Sequence, residues 1–545
     1  MNKFNFLSGC IGQWQLHKRG SFKIWLAGYD NEKNLDVIID LISKFNSINV
    51  INCRKIVSNL GEHFGIIIIS PKWVFAAVDY TRGYPLYWKQ SEDKLYVSPQ
   101  ANLIKEKKIS SIDNKQLTAF RMSGYTINQG TIWKNINNLS TGSYIFFNQK
   151  GKLLIKRYFS YFPSPSFEKQ YFNVQTKLKD QLKKIIKKII LDAKGKTIIV
   201  PLSAGLDSRF IASGLKHYNY LNVKCFSYGH KNNYEALASK KIANKLGFEW
   251  TFVEIRQKPI KNFYSSDIYK KYIKFSADGC ATSTIQGFYA INLLLKSKYI
   301  KKDNIIINGN SGDFISGGHI PKELLNLKYK SNNYKNLFNK VFHYHYEKHY
   351  SLWDSLKISK NKKIIKEQLF NQIKEVIKKK EITAYAILEF LEYENRQSKY
   401  VINSQRIYDY YKLSWLLPLW NKSFVKFWEK VPLQYKLNQN LYRDTLKKIN
   451  YGGVWTNNYY FPFKVSSIKM RFIRFFFKSF FFFVGKKKWY KFEKKYLNYW
   501  TENIYGFSSI KYFKVIKNKN GARNYVSWYT LFAEKNNTGR HWQEN

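Results

Sequence analysis

From Thr197 to Asn308, short apolar runs alternate with helix-length segments, a pattern that few architectures accept. Thr197-Ile-Ile-Val-Pro-Leu202 is too short for a helix and reads as a buried strand, followed by small residues and a helical pattern from about Arg209. Val223 to Tyr228 reads as a second strand, Glu235 to Leu246 as a helix stopped at Gly247, and Glu249 to Ile255 as a third strand. Ser283 to Leu295 reads as a helix and Asn304 to Asn308 as a fourth strand. Such alternation builds an α/β fold with a parallel, doubly wound sheet, whose ligands sit beyond the carboxyl ends of the strands. Chemistry is therefore expected in the loops after Leu202 and Asn308.

On either side the period changes. Phe64 to Ile69, Trp73 to Val78, Lys94 to Val97 and Ser143 to Phe147 are β-branched and aromatic runs between turn residues, so the chain before about residue 160 reads as strand-rich. Tyr158 to Glu168, carrying Pro163 and Pro165, reads as a linker. Leu178, Leu182, Ile185, Ile186, Ile189 and Ile190 then place one apolar stripe on a helix with a lysine-rich opposite face. Pro321 to Lys448 reads as mostly helical. The expected organisation is a domain over residues 1–165, a second over 170–450 and a basic aromatic extension over 451–545.

The loop after the first parallel strand is Ser203-Ala-Gly-Leu-Asp-Ser208. A strand, a turn of small residues and a helix N-terminus form an anion site, because backbone N–H groups and the positive end of the helix dipole face one point. Ser203 and Ser208 add hydroxyl donors, and Asp207 suits a hard cation such as Mg²⁺. No Gly-Lys-Ser/Thr follows, so the pattern fits a pyrophosphate clamp better than a Walker A loop. An ordinary turn with a helix cap is the plain alternative. The second loop, Asn308-Gly-Asn-Ser-Gly-Asp313-Phe-Ile-Ser-Gly-Gly318, tips the balance, since two glycine-rich loops at one sheet edge suit one nucleotide, with Asp207 and Asp313 sharing the metal ion.

At these residues the sequence resembles the asparagine synthase family, whose loops read Ser-Gly-Gly-x-Asp-Ser and Gly-Glu-Gly-x-Asp-Glu followed by Gly-Gly. Phe226-Ser-Tyr-Gly229, Glu394-Asn-Arg396, Leu416-Leu-Pro-Leu-Trp420 and Leu441-Tyr-Arg-Asp-Thr-Leu446 are similar to later family segments. Arg82 to Tyr87, Tyr96 to Pro99 and Thr131 to Gly142 are similar to its glutaminase half. The resemblance implies an Ntn-hydrolase-like α+β sandwich followed by an ATP pyrophosphatase domain of the adenine nucleotide α-hydrolase type, with a helical extension. It also implies ATP and Mg²⁺ as cofactors and an amide-forming reaction that adenylates a carboxylate and adds ammonia or another amine. Ser203, Ala204, Gly205, Leu206, Asp207 and Ser208 would hold the phosphates, and Leu202, Tyr228, Asn308 and Gly309 the adenosine. Asp207, Asp313 and Arg443 would be catalytic.

The departures from the family are specific. Ser8 aligns with the glutaminase cysteine, and Cys10 would become terminal only after loss of a leader, so glutamine hydrolysis is expected to be absent and Cys10 to be a buried strand residue. Ala204 replaces a loop glycine, a small change if its φ is negative. Asn310 and Phe314 stand where the family has acidic residues, and an amide is no general base. Arg443 stands where a catalytic lysine is expected; it keeps the charge but transfers no proton. A nucleotide-binding protein without turnover is thus a competing reading.

The net charge of +55, from 92 Lys and Arg against 37 Asp and Glu, favours a tRNA-modifying alternative within the same loop superfamily. The cations are spread along the chain rather than gathered into a stripe, so no specific nucleic acid is expected. Cys10, Cys53, Cys225 and Cys280 lack metal-ligand spacing and fit reduced cytoplasmic thiols. No run reaches the length of a spanning helix. Phe472 to Val484 comes nearest, inside Arg471 to Lys491, which suits peripheral contact with an anionic membrane at its inner face; a core helix with snorkelling lysines is the alternative.

Overall fold

The computed structural model describes residues 4–6, 13–44, 50–92, 94–105, 111–166, 170–324, 328–330, 334–377, 381–456, 459 and 467–544. Ser8 and Cys10 lie outside them, so the expectation for Cys10 does too.

The N-terminal strands form two sheets, one of six strands and one of four. Alternation along Phe64–Ile69 shows why they stack: Ile66 and Ile68 point to the helices Asn31–Ser43 and Val50–Asn59, while Ile67 points to the second sheet with Val74, Val97 and Ile145. The far side of the four-stranded sheet packs Tyr87 against Leu117 and Phe120 of the helix Asn114–Ser123. Helix, sheet, sheet and helix thus follow one another in four layers, the expected sandwich.

The second half is built on a five-stranded parallel sheet in the order Glu249–Glu254, Val223–Gly229, Ile198–Pro201, Ile305–Ile307, Ser414–Leu416. The order runs outward in both directions from Ile198–Pro201, which makes the ends of Ile198–Pro201 and Ile305–Ile307 the crevice of a doubly wound fold. The lysine-backed helix is Tyr171–Ala193, with Leu178, Leu182, Ile185, Ile186 and Ile189 buried as the stripe requires. Gly214 lets the helix Leu206–His217 approach it, since a Cβ there would lie 2.5 Å from Ile186.

One expectation is extended and one corrected. The segment from Pro321 to Lys448 also contains strands: Ser414–Leu416 completes the parallel sheet, and Lys328–Lys330 pairs with Glu381–Thr383. Three-residue strands carry too little periodicity to stand out between helices. The helix expected from Ser283 starts only at Phe288, after Gly287 at φ +86°, and Ser283 to Gly287 form a loop.

Residues 467–544 pack on both halves. The helix Tyr525–Thr538 is clamped to Asn114–Ser123 by Arg121, whose Nε and Nη2 donate to the Glu534 carboxylate at 2.5–3.1 Å. Asn503, Ile504, Tyr525 and Tyr529 reach the crevice of the parallel sheet.

Candidate functional site

The strand Ile198–Pro201 ends in the loop that begins the helix Leu206–His217, whose N-cap Gly205 provides no side-chain cap. The first-turn amides are therefore available to an anion. Ser208 Oγ accepts from the Ser203 main-chain N–H at 3.0 Å and lies 3.1 Å from Ser203 Oγ, which fixes the loop. Ala204 is not in the left-handed region, so its methyl costs the loop no backbone strain.

The second loop meets the first directly. A Cβ at Gly309 would lie 2.7 Å from the Ser208 nitrogen, and one at Gly312 would lie 2.3 Å from Asp207 Oδ1, so any side chain at either position would force the loops apart. The Asp313 main-chain N–H donates to Asp207 Oδ2 at 3.0 Å. Among the described residues Asp207 Oδ1 has no hydrogen-bond partner of good geometry, with the Tyr442 hydroxyl beside the carboxylate. Burial, then the facing Asp313 carboxylate, pushes Asp207 up to about 8. A divalent cation would satisfy the orphaned oxygen and relieve the repulsion, so the residues present fit Mg²⁺ held jointly with phosphate oxygens.

Behind Asp313 stands a buried charge network. His319 bridges Asp313 Oδ2, 3.1 Å from its Nε2, and Glu392, which its Nδ1 contacts. Glu392 also accepts from Arg396, Gln397 and His349 at 3.0–3.3 Å. Burial opposes charge on His319, yet its two carboxylate partners prevail and raise it to about 9. Asp313 is 57% exposed, so the desolvation that opposes its charge is only partial; the His319 hydrogen bond outweighs it and keeps Asp313 below the usual carboxylate range. His319→Ala is expected to weaken Mg²⁺ binding between Asp207 and Asp313 by about 10- to 100-fold in a calorimetric titration, as loss of an outer-shell partner does. An unchanged Mg²⁺ affinity would remove His319 from this role.

Both loops open on a cavity of about 520 Å³ at the carboxyl ends of the strands. Of the residues expected to hold nucleotide, Leu202, Ser203, Gly205, Asp207, Ser208, Tyr228, Asn308 and Gly309 line it, whereas Ala204 and Leu206 do not. Asp313 is exposed beside it. Asn308 and Asn310 are held from behind by Gln405 and Ser404 at 3.1 Å, and Ser311 by Gln397 at 2.7 Å. All three anchors follow the helix Ala384–Leu391, in the π-helical stretch Glu392–Val401 and the turn after it, an irregularity common at functional sites. Phe314 is buried between Tyr161 and Trp420 and is not among the described cavity-lining residues.

Arg443 is corrected. It is exposed on the helix Asn440–Ile449 and is not among the cavity-lining residues. The same segment reaches the site through Tyr442, which lies beside Asp207, and through Gln439, whose Nε2 donates to Ser316 Oγ at 2.7 Å. Helical phase explains the difference, because Leu441, Tyr442 and Thr445 face the core and Arg443 turns outward. The sequence reading also missed Arg396, the one basic residue among the described cavity-lining positions, and the wall supplied by Asn503, Ile504, Tyr525 and Tyr529. Nothing in that C-terminal stretch has a motif that would have marked it.

The family model described as asparagine synthase matches residues 177–454, just over half of the chain. No curated protein matches it. Among solved structures, the glutamine phosphoribosylpyrophosphate amidotransferase of B. subtilis complexed with ADP and GMP is similar at 10% identity, covering 44% of this chain and 73% of that one, with a TM-score of 0.19. A structure described as the allosteric regulatory enzyme of purine biosynthesis covers 49% and 61% respectively, also at 10% identity and a TM-score of 0.19. These structural likenesses are too slight to inform the site.

Proposed function

The chain belongs to the asparagine synthase family, and from that premise we propose an ATP-dependent ligase that adenylates a carboxylate and converts it to an amide with ammonia. The observation that carries this reading is the meeting of two strand-end loops, with the Asp313 N–H on the Asp207 carboxylate at the cavity mouth. In the reaction a carboxylate oxygen attacks the α-phosphorus of ATP and pyrophosphate leaves. Ammonia then attacks the acyl carbon, AMP leaves, and the nitrogen loses a proton. The amides after Gly205 and the Ser203 and Ser208 hydroxyls would bind the departing pyrophosphate, where negative charge accumulates. Asp207 and Asp313 would hold Mg²⁺, which neutralises phosphate charge. Leu202, Tyr228, Asn308 and Gly309 would surround the adenosine.

Arg396 suits an acceptor with a second anionic group, so aspartate and sugar uronic acids differ in how well they use it. Release of pyrophosphate from ATP, Mg²⁺ and ammonium is to be measured across a panel of carboxylates, with glutamine replacing ammonium in parallel. Ammonium is expected to support turnover and glutamine to fail. With the preferred dianionic acceptor, Arg396→Leu is expected to raise the acceptor KM about tenfold with little change in kcat. The rival reading, nucleotide binding without turnover, draws on Asn310, whose amide lines the cavity where a base would help. ATP binding without pyrophosphate release from any acceptor would establish it.

A further inference from the structure

The helix Ile468–Phe480 has no buried residue, although it is one of the most aromatic segments of the chain. One side of it is explained. Phe477 and Phe481 pack on Phe492 at ring separations of 5.0 and 5.2 Å, and Arg474 pairs with Glu493, so the helix folds back on Lys486–Phe492 as a hairpin. The other side has no partner within the described residues. Phe472, Phe475, Phe476 and Phe480 are 58–75% exposed, and at the tip Phe482 and Phe483 are 83% and 91% exposed. These positions recur three to four residues apart, so the rings form one continuous stripe extended by the tip.

The charge around the stripe restricts what can cover it. Residues 467–500 carry ten Lys and Arg and a single acidic residue, Glu493, which Arg474 already engages. A second copy of this chain would bring an equally cationic patch against the first, and like charges at close range oppose such a contact. A buried intramolecular site would leave the rings covered, which they are not. We infer that this hairpin docks on an anionic lipid surface, with the phenyl rings entering the headgroup and acyl boundary and the flanking cations at the phosphate level. The second arm continues helically through Glu493–Leu497 and Asn498–Thr501, and Asn503 and Ile504 of the cavity wall come eleven and twelve residues after Phe492, so a short helical stretch joins the docking hairpin to the cavity wall.

Flotation of the full-length protein tests this, with vesicles of phosphatidylcholine alone or mixed with phosphatidylglycerol. The protein is expected to float with the anionic vesicles, to stay with the soluble fraction when only phosphatidylcholine is present, and to be partly released by high salt. The triple variant Phe472→Ser, Phe475→Ser and Phe476→Ser is expected to lose at least tenfold in bound fraction while keeping its pyrophosphate release and its thermal midpoint. Lys486→Glu with Lys487→Glu is expected to abolish the preference for anionic lipid. The inference is overturned if the wild type never floats, or if the phenylalanine triple variant floats equally well. It is also overturned if sedimentation shows a wild-type dimer that the triple variant converts to monomer without vesicle binding, or if the same variants weaken binding to tRNA and leave flotation intact.

Discussion

Asp207→Asn is expected to lower pyrophosphate release by about 10³-fold or more while raising the thermal midpoint of the nucleotide-free protein. Asparagine keeps an oxygen for the Asp313 N–H, so the contact between the loops survives. What it removes is the negative charge that a cation and its phosphates require. The opposite sign for stability follows from the carboxyl's environment. Burial and Asp313 raise its pKa from 3.8 to about 8 in the folded protein. As pH rises through that window the unfolded chain releases this proton and the folded chain retains it, so the folded state loses stability relative to the unfolded one. An amide has no such proton, and the gain in midpoint should be absent near pH 3.8, grow through the window and level off above pH 8. Scanning calorimetry of both proteins across pH, with and without Mg²⁺ and ATP, reads the two effects separately. Ligand is expected to stabilise the wild type and not the variant. Turnover within tenfold of wild type would dismiss Asp207 as the metal-binding carboxylate.

That strained carboxylate also shows where sequence reading succeeds and where it stops. The alternation from Thr197 to Asn308 forecasts the parallel sheet because each strand is a contiguous apolar run and each helix has its own period. Gly309 and Gly312 could be noticed in the sequence, but their reason is contact with Asp207 more than a hundred residues earlier, which periodicity does not encode. Arg443 shows the limit of motif transfer: its position in a recognisable segment says nothing of helical phase, and the phase brings Tyr442 to the site instead. His319 lies one residue beyond the loop's last glycine, with no spacing to link it to Glu392. The cavity wall from Asn503 to Tyr529 is set by long-range packing, through the Arg121 to Glu534 clamp among other contacts. In the aromatic segment, composition marked a run of rings bracketed by cations, whereas only the hairpin contacts separate the rings that pack inward from the stripe that faces out.

Glu389→Leu or Lys436→Met alone is expected to destabilise the fold by about 3–5 kcal/mol, because each leaves the other charge buried without its partner. Lys436 Nζ donates to Glu389 Oε2 at 2.6 Å, with side-chain exposures of 0% and 1%, and Tyr161 OH lies within hydrogen-bond distance of both. Burial raises Glu389 and lowers Lys436, each toward its neutral form, so their attraction does not recover the cost of desolvation. The combined variant Glu389→Leu, Lys436→Met and Tyr161→Phe should therefore return to within about 1 kcal/mol of wild type or exceed it. Activity is expected not to follow. The Lys436 carbonyl lies where a Cβ at Gly317 would approach to 2.4 Å, so the pair fixes the strand of chain that backs the second loop. It does this from three distant segments, the extended stretch with Tyr161, the helix Ala384–Leu391 and the one-turn helix Leu433–Lys436. Apolar packing restores the energy but not the directional hydrogen bonds, and pyrophosphate release by the triple variant should remain below wild type at equal stability. Full recovery of both would reduce the pair to one of several interchangeable ways of filling that volume.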